Sequence, residues 1–251
     1  MKYLILLGLI SSITLPDTCT STGVVALTID EGPSAYTDSI LDILDKKGVP
    51  ATFHFNPSIV GSEFQGIYDR VEDEGHEIGF RSSPKRAYTD DQPYEDVEED
   101  LDQQLKFMQS RTSKDIKYAR APKNGDLPVQ NVYNYFVKRK IIQTSYSLCP
   151  HDNPDEDPVD RIRDFLGPNN YKHDSFIIQL YEQRLEQDGN LSEIIDAIKE
   201  YNYEIVTLSS CLDGYEPGKP VTKSKSGRLT SSCSKMVFPQ FIPLLMHYLI
   251  Y

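Results

Sequence analysis

Short runs of apolar and β-branched residues alternate along the chain with segments in which apolar residues recur every three or four positions. Residues 24–29 have the composition of a buried strand, whereas Leu101, Leu105 and Met108 share one face of an otherwise acidic segment and predict an amphipathic helix. Because strands and helices follow each other in turn, the pattern predicts a single α/β domain built on a parallel sheet.

The pattern also gives approximate bounds for each element. Strands are predicted at 24–29, 51–55, 77–80, near 118, 141–148, 176–180 and 204–208, and helices at 36–47, 66–74, 94–108, through 132–136 and at 191–201. The acidic, proline-rich segment 152–160 is predicted to be a loop, and residues 213–235 a polar linker.

Polar residues and a cysteine follow the ends of the predicted strands. They are Asp30 and Glu31, Arg81, Arg120, Cys149 and Asp152, and Tyr181 and Glu182. The carboxyl ends of parallel strands form the ligand-binding face of α/β sheets and barrels. The sequence therefore predicts one cleft lined by these side chains.

Both ends of the chain are apolar. Residues 1–18 combine a lysine, a short apolar run and small polar residues, which is typical of a secretory signal peptide. Residues 236–251 contain no Asp, Glu, Lys or Arg and follow the polar linker, as in a glycolipid-anchor signal; a tail helix or an amphipathic membrane contact is the alternative. We expect a secreted, monomeric protein of the cell surface or cell wall, folded over residues 19–212.

Charge and cysteine content narrow the possible partners and the compartment. The formal net charge of −12 argues against a nucleic-acid partner and against anionic membrane surfaces. Secretion permits disulfides, and the four cysteines at 19, 149, 211 and 233 allow three pairings. Asn190 begins an Asn-Leu-Ser triplet, the acceptor sequence for N-glycosylation.

Five segments resemble, in chain order, the motifs of the polysaccharide deacetylases, carbohydrate esterase family four (CE4), which includes the chitin deacetylases. Residues 28–33, T-I-D-E-G-P, are similar to T-F-D-D-G-P, and residues 75–85 to G-H-E-I-G-N-H-[ST]-x-x-H. Residues 120–125 are similar to R-x-P-Y-G with one extra residue, 146–153 to W-S-x-D-x-x-D-W, and 179–181 to L-x-H. The resemblance implies a distorted (β/α) barrel with fewer than eight strands. It also implies a disulfide between Cys19 and Cys211, because family members often join the segments flanking the barrel.

The resemblance assigns a role to each position of the predicted cleft. In the family, an Asp is the base, the next Asp and two His bind a divalent metal such as zinc, and a His is the acid. In this chain Asp30 keeps the position of the base, and Tyr181 occupies that of the acid. The metal-ligand positions carry Glu31, Arg81 and Lys85. Arg120 and Asp152 stand where the family orients the base and the acid.

These substitutions predict that the chain binds no metal or other cofactor. A guanidinium has no lone pair to donate, and a lysine beside two carboxylates stays protonated. At about 4 Å and an effective dielectric constant near 20, each cation repels each unit of metal charge by roughly 4 kcal/mol. We expect Arg81 and Lys85 to pair with Asp30 and Glu31 instead, and Arg120 to pair with Asp30. His54 and His76 are interpreted as structural residues, and His151 as a surface residue of a loop.

The sequence favours an inactive deacetylase homologue with a role at the cell wall or surface, for which chitin or another wall polysaccharide is the candidate partner. An active chitin deacetylase with a site rearranged around Asp30, Glu31, His151 and Asp152 remains an alternative. A carbohydrate-binding module is a further alternative, although the chain has no Trp, the usual platform for sugar stacking.

Overall fold

The computed structural model of the protein describes residues 13–59, 61–83, 85–124 and 127–219. Most of the predicted signal peptide and of the polar linker, the apolar tail and Cys233 lie outside the described residues. Within them, no helix is both long enough and apolar enough to cross a membrane.

The described residues form nine strands and eight α-helices. The strands are β1 (Val24–Asp30), β2 (Thr52–Phe55), β3 (Glu77–Arg81), β4 (Tyr118–Arg120), β5 (Lys123–Asn124), β6 (Leu127–Pro128), β7 (Ile142–Gln143), β8 (Phe176–Tyr181) and β9 (Glu204–Val206). The helices are α1 (Thr37–Lys47), α2 (Gln65–Asp73), α3 (Tyr94–Gln109), α4 (Gln130–Lys138), α5 (Pro158–Leu166), α6 (Glu182–Asp188), α7 (Leu191–Glu200) and α8 (Leu208–Cys211). Two 3₁₀-helices lie at Ser62–Phe64 and Pro150–Asp152.

The parallel strands form one curled sheet in the order β7-β4-β3-β2-β1-β8, and β9 pairs with the first half of β1. A bridge between Leu148 and Ile178 brings the chain beyond β7 against β8 and curls the sheet towards closure. This arrangement confirms the prediction of a distorted (β/α) barrel with fewer than eight strands. β5 and β6 form a separate two-stranded hairpin.

Side-chain alternation divides the strands into an outer apolar face and an inner face that changes character along the barrel. The outer face packs against the helices; in α7, for example, Ile194, Ile195 and Ile198 are fully buried. On the inner face of β1, Ala26 belongs to an apolar cluster, whereas Thr28 and Asp30 are polar. The barrel interior is therefore apolar near the amino ends of the strands and polar at their carboxyl ends.

A disulfide between Cys19 and Cys211 joins the segment before β1 to α8, which is the pairing that the family resemblance implies. Thr20 supports the junction through a backbone hydrogen bond of 2.8 Å to the carbonyl oxygen of Cys211. On the other side of α8, the half-buried Glu77 carboxylate accepts hydrogen bonds from Thr52 and Ser209. The amino end of the barrel is thus closed by both covalent and polar contacts.

Three predictions of secondary structure were wrong. Helix α5 begins inside the predicted loop 152–160, where Asp157 accepts hydrogen bonds from the backbone N–H groups of Val159 and Asp160 and caps the helix. Helix α6 was missed because its seven residues include a single buried apolar residue, Leu185. The strand predicted at 141–148 is limited to β7, with a bridge at Leu148.

Removing the disulfide should destabilise the barrel without changing its fold. The crosslink spans 192 residues, and closing so long a loop typically contributes about 2–4 kcal/mol by restricting the unfolded chain. The double variant Cys19→Ser/Cys211→Ser should lose that amount in denaturant unfolding. Reductant should lower the midpoint of the wild type and leave that of the double variant unchanged. Equal midpoints of the wild type with and without reductant would contradict a stabilising crosslink.

Candidate functional site

The centre of the site is the carboxylate of Asp30, which is fully buried at the carboxyl end of β1. The register of the sheet places Asp30 between His54 of β2 and Tyr181 of β8. The Nδ1 atom of His54 lies 3.0 Å from Oδ1 of Asp30, and Nε2 of Gln179 donates a 2.8 Å hydrogen bond to Oδ2. Both carboxylate oxygens therefore have a hydrogen-bonding partner inside the barrel.

Two arginines neutralise this buried charge. The Nε atoms of Arg81 and Arg120 each lie 3.7 Å from Oδ2 of Asp30, an ion-pair distance that is too long for a hydrogen bond. Burial alone would raise the pKa of Asp30, but Arg120, His54 and Arg81 outweigh burial and lower the pKa to about 2. Asp30 is therefore an anion at any physiological pH.

Arg120 is fixed from below by the inner faces of β1 and β8. Its Nη2 atom donates a 3.1 Å hydrogen bond to Oγ1 of Thr28, and its Nη1 atom donates a 3.3 Å hydrogen bond to Oε1 of Gln179. Gln179 in turn donates to Asp30, so these side chains form one connected network. Because the network is buried, it holds the carboxylate of Asp30 in one orientation.

His54 is neutral in this network. Burial lowers the pKa of His54, and the hydrogen bond to Asp30 does not fully compensate. Since Asp30 is ionised, Nδ1 of His54 carries the proton of the neutral ring and donates a hydrogen bond to the carboxylate. The ring lies against Gly79, where a Cβ atom would come within 2.6 Å of Cδ2 of His54. Its Nε2 atom is buried and has no hydrogen-bonding partner among the residues that the structure describes.

Glu31 is the part of the cluster that faces solvent, with 36% of its side chain exposed, against 14% for Arg81. Its backbone has a φ of 77°, which is unusual for a residue other than glycine, and its N–H donates to the carbonyl oxygen of His54. Nη2 of Arg81 donates a 3.3 Å hydrogen bond to Oε1 of Glu31. Burial would lower the pKa of Arg81, but Asp30 and Glu31 outweigh burial and raise that pKa, so the guanidinium stays charged.

Lys85 does not join this cluster, in contrast to the expectation from the sequence. Its side chain is exposed, and within the described ranges it forms no ion pair with Asp30 or Glu31. It lies instead with Arg86 and Tyr88 along an open groove of about 400 Å³ beside α3. Three residues separate Arg81 from Lys85, and the motif spacing alone does not show that Lys85 lies at the surface.

The fourth and fifth motifs lie on the β8 side of Asp30, whereas His54 lies on its β2 side. Tyr181 ends β8 and is close enough to Arg81 to influence its pKa. Both carboxylate oxygens of Asp152 are buried and lack a hydrogen-bonding partner in the described part of the chain. His151 is 1% exposed, so its interpretation as a surface residue was wrong. Burial lowers the pKa of His151 to about 4.

Three residues of the site escaped the sequence analysis as functional residues: His54, Gln179 and Thr28. Glu182 was expected to line the cleft, and the structure shows what it contacts there. Glu182 is 2% exposed and accepts hydrogen bonds of 2.5 Å from Oγ of Ser34 and 2.6 Å from Oγ1 of Thr37. It ties the end of β8 to the turn that follows Glu31. A parallel pairing of β1 with β2 and β8 could have identified His54 and Gln179 from the sequence, because it makes both residues neighbours of Asp30.

The donor set does not fit a divalent metal. Of the three residues at the family's ligand positions, only Glu31 offers a lone pair, and the guanidinium of Arg81 lies against both carboxylates. Over the described ranges, no group of three or more His, Cys, Asp or Glu side chains is arranged to hold a metal ion. The space beside Asp30 and Glu31 is taken by a protein cation.

Sequence comparison places this chain near polysaccharide deacetylases. The family model described as polysaccharide deacetylase matches residues 17–134. A chitin deacetylase of Pestalotiopsis sp is 43% identical over 68 residues, which cover 26% of this chain and 23% of that protein. A chitin deacetylase of Colletotrichum lindemuthianum is 26% identical over 220 residues, which cover 77% and 81%. The chain spans at most about a quarter of the length of the first curated relatives.

Solved structures of CE4 proteins have folds similar to that of this chain. The chitin deacetylase from the fungal pathogen Colletotrichum lindemuthianum has a TM-score of 0.65 at 24% identity, covering 80% of this chain and 92% of that one. A CE4 family pseudoenzyme from Bacillus anthracis has a TM-score of 0.66 at 17% identity, covering 81% and 70%. A mutant of that pseudoenzyme, described as having restored enzymatic activity, has a TM-score of 0.66 at 19% identity and covers 81% and 72%.

The ion pairs of Asp30 should appear in the acid dependence of stability. Because the pKa of Asp30 is lowered from 3.8 to about 2 in the folded state, its stabilisation is complete above pH 4 and is lost as the pH falls towards 2. The difference in free energy of unfolding between the wild type and Asp30→Asn should shrink by roughly 2 kcal/mol over that interval. Asp164→Asn, at an exposed position of α5, is the matched control and should show no such trend. A difference that does not depend on pH would show that Asp30 is not held by cations.

Proposed function

The chain belongs to the polysaccharide deacetylase family, CE4, and we propose that it is a member without deacetylase activity. The observation that carries the proposal is the position of Arg81, whose guanidinium contacts both Asp30 and Glu31 at 3.7 and 3.3 Å. A permanent cation between the two carboxylates repels a divalent ion and fills the place that the ion needs.

The state of Asp30 adds a second argument against catalysis. A general base works best when its pKa is near the working pH, whereas the pKa of Asp30 is lowered to about 2. The carboxylate is also fully buried and has hydrogen-bonding partners at both oxygens. It is therefore a weak base that has no surface exposed to solvent.

The proposed alternative of an active, rearranged site has little support from the described residues. It needs His151 as an acid within reach of a substrate at Asp30, but His151 is 1% exposed and its Nε2 atom faces Asp188 at 3.9 Å. By contrast, the similarity to a CE4 pseudoenzyme from Bacillus anthracis supports the view that this fold persists without activity.

We further propose that the protein is secreted and acts at the cell wall or surface by binding chitin or a related polysaccharide. The Cys19–Cys211 disulfide supports an oxidising compartment, as do the signal-like amino terminus and the acceptor sequence at Asn190. The apolar carboxyl-terminal segment supports a glycolipid anchor. The relatives named chitin deacetylase support a carbohydrate ligand.

Acetate release from chitin oligomers tests the loss of activity. The wild type, incubated with zinc or cobalt, should release no more acetate than Asp30→Asn. The variant Glu31→Asp/Arg81→His/Lys85→His removes the cation that lies against the two carboxylates and supplies the family's ligand types. We expect it to retain more zinc than the wild type in elemental analysis, even though residue 85 lies away from the cluster. The same triple variant carrying Asp30→Asn controls for adventitious release. Metal-dependent acetate release by the wild type that is lost in Asp30→Asn would overturn the proposal.

Binding to insoluble chitin tests the proposed role separately. The wild type should sediment with chitin in a saturable manner, and a chelator should leave the bound fraction unchanged because no metal takes part. Soluble chitin oligomers should compete. Failure to sediment at low salt, with a known chitin-binding protein as positive control, would count against a carbohydrate role while leaving the lack of activity intact.

A further inference from the structure

Helix α6 connects the two sides of the candidate site. It begins directly after Tyr181, and Glu182 in its first turn accepts hydrogen bonds from Ser34 and Thr37 beyond β1. The Oε2 atom of Glu182 lies so close to Gly32 that a Cβ atom on that glycine would come within 2.0 Å. The helix is thus fastened to the turn that presents Glu31.

The other end of α6 meets a buried histidine. Asp188, the last residue of α6, has its Oδ2 atom 3.9 Å from Nε2 of His151 in the 3₁₀-helix Pro150–Asp152. The side chain of His151 has no exposed surface, and neither ring nitrogen has a hydrogen-bonding partner among the described residues. Helix α6 therefore contacts, through Asp188, a buried imidazole that is not anchored by hydrogen bonds within the described part of the chain.

The charges around His151 oppose its protonation in place. Asp188 is attractive, but Nε of Arg184 lies 3.8 Å from the same Oδ2 atom and offsets its charge. Arg161 of α5 adds a second repulsive cation. Asp152, on the same 3₁₀-helix as His151, carries a further carboxylate whose two oxygens are buried. Burial is the largest effect, and with these charges it lowers the pKa of His151 to about 4.

We propose that α6 is an acid-sensitive clamp across the ligand face, released when His151 takes up a proton and becomes hydrated. A buried imidazolium without hydrogen bonds is costly, whereas the same group in water is not. Protonation therefore favours a state in which α6 has separated from Pro150–Asp152. Because α6 also holds Ser34 and Thr37 and directly follows Tyr181, its release frees the rim of the site around Glu31. The clamp does not depend on whether the site is active.

The size of the effect follows from proton linkage. If the ordinary pKa of 6.5 applies to the released state and the value of about 4 to the clamped state, lowering the pH from 7 to 4.5 raises the population of the released state roughly fiftyfold. Glu182 acts in the opposite direction. Burial raises its pKa, so the clamped state binds that proton more tightly and acid favours the clamp. A variant of His151 therefore separates the two contributions.

Amide hydrogen exchange, corrected for the intrinsic effect of pH, tests the clamp. We expect peptides covering 182–189 in the wild type to open more at pH 4.5 than at pH 7, by at most roughly fiftyfold because Glu182 acts in the opposite direction. Peptides covering 24–30 in β1 report global unfolding and should change much less. His151→Phe and His151→Gln remove the titrating group in two ways and should abolish the acid-induced opening of α6. His173→Asn replaces an exposed histidine and should behave as the wild type does.

Two results would overturn the clamp. The first is an acid-induced opening of α6 that persists in both His151 variants, because the proton responsible would then bind elsewhere. The second is a parallel change in the α6 and β1 peptides of the wild type, because acid would then destabilise the whole barrel rather than release one helix.

Discussion

The structure depends on the neutralisation of one buried carboxylate. Asp30 is fully buried at the carboxyl end of β1, which pairs with β2, β8 and β9, and an unpaired charge there would cost several kcal/mol. His54 and Gln179 supply hydrogen bonds to it, and Arg81 and Arg120 supply positive charge. A bound cation and a protein cation are two ways to meet the same electrostatic requirement. The proposed loss of activity follows from this chain's use of the second.

The use of protein cations also explains why some residues of the site are buried and others are partly exposed. Arg120 and Gln179 are buried below Asp30, whereas Arg81 approaches from above and shields Asp30 from solvent. Glu31 remains partly exposed, but its charge is already paired with Arg81. What the rim offers to a ligand is therefore shape and hydrogen bonding rather than an open ionic site. The rim itself is held by α6, through Glu182 at one end and the contact of Asp188 with His151 at the other.

The sequence predicted the fold and the centre of the site because both rest on local patterns. Apolar runs with intervening helices predict a parallel sheet, and the resemblance to the deacetylase motifs implies that this sheet is a distorted barrel. Asp30, Glu31, Arg81 and Arg120 follow predicted strands, which places them at one edge of the sheet. The positions of other side chains and of one short helix depend on tertiary packing, which local patterns do not show. Lys85 was expected in the cluster, but the path of the chain after β3 takes it to the surface. His151 was expected at the surface, but packing of the 3₁₀-helix buries it, and α6 is too short to produce a helical pattern.

We propose that a protein cation, Arg81, takes the position that a metal takes in CE4 enzymes. Calorimetric titration of the purified wild-type protein with zinc tests it most directly, with Asp30→Asn as the matched variant. The account predicts no stoichiometric binding, and the same weak background heat in both proteins. One equivalent of zinc bound by the wild type and lost in Asp30→Asn would contradict it.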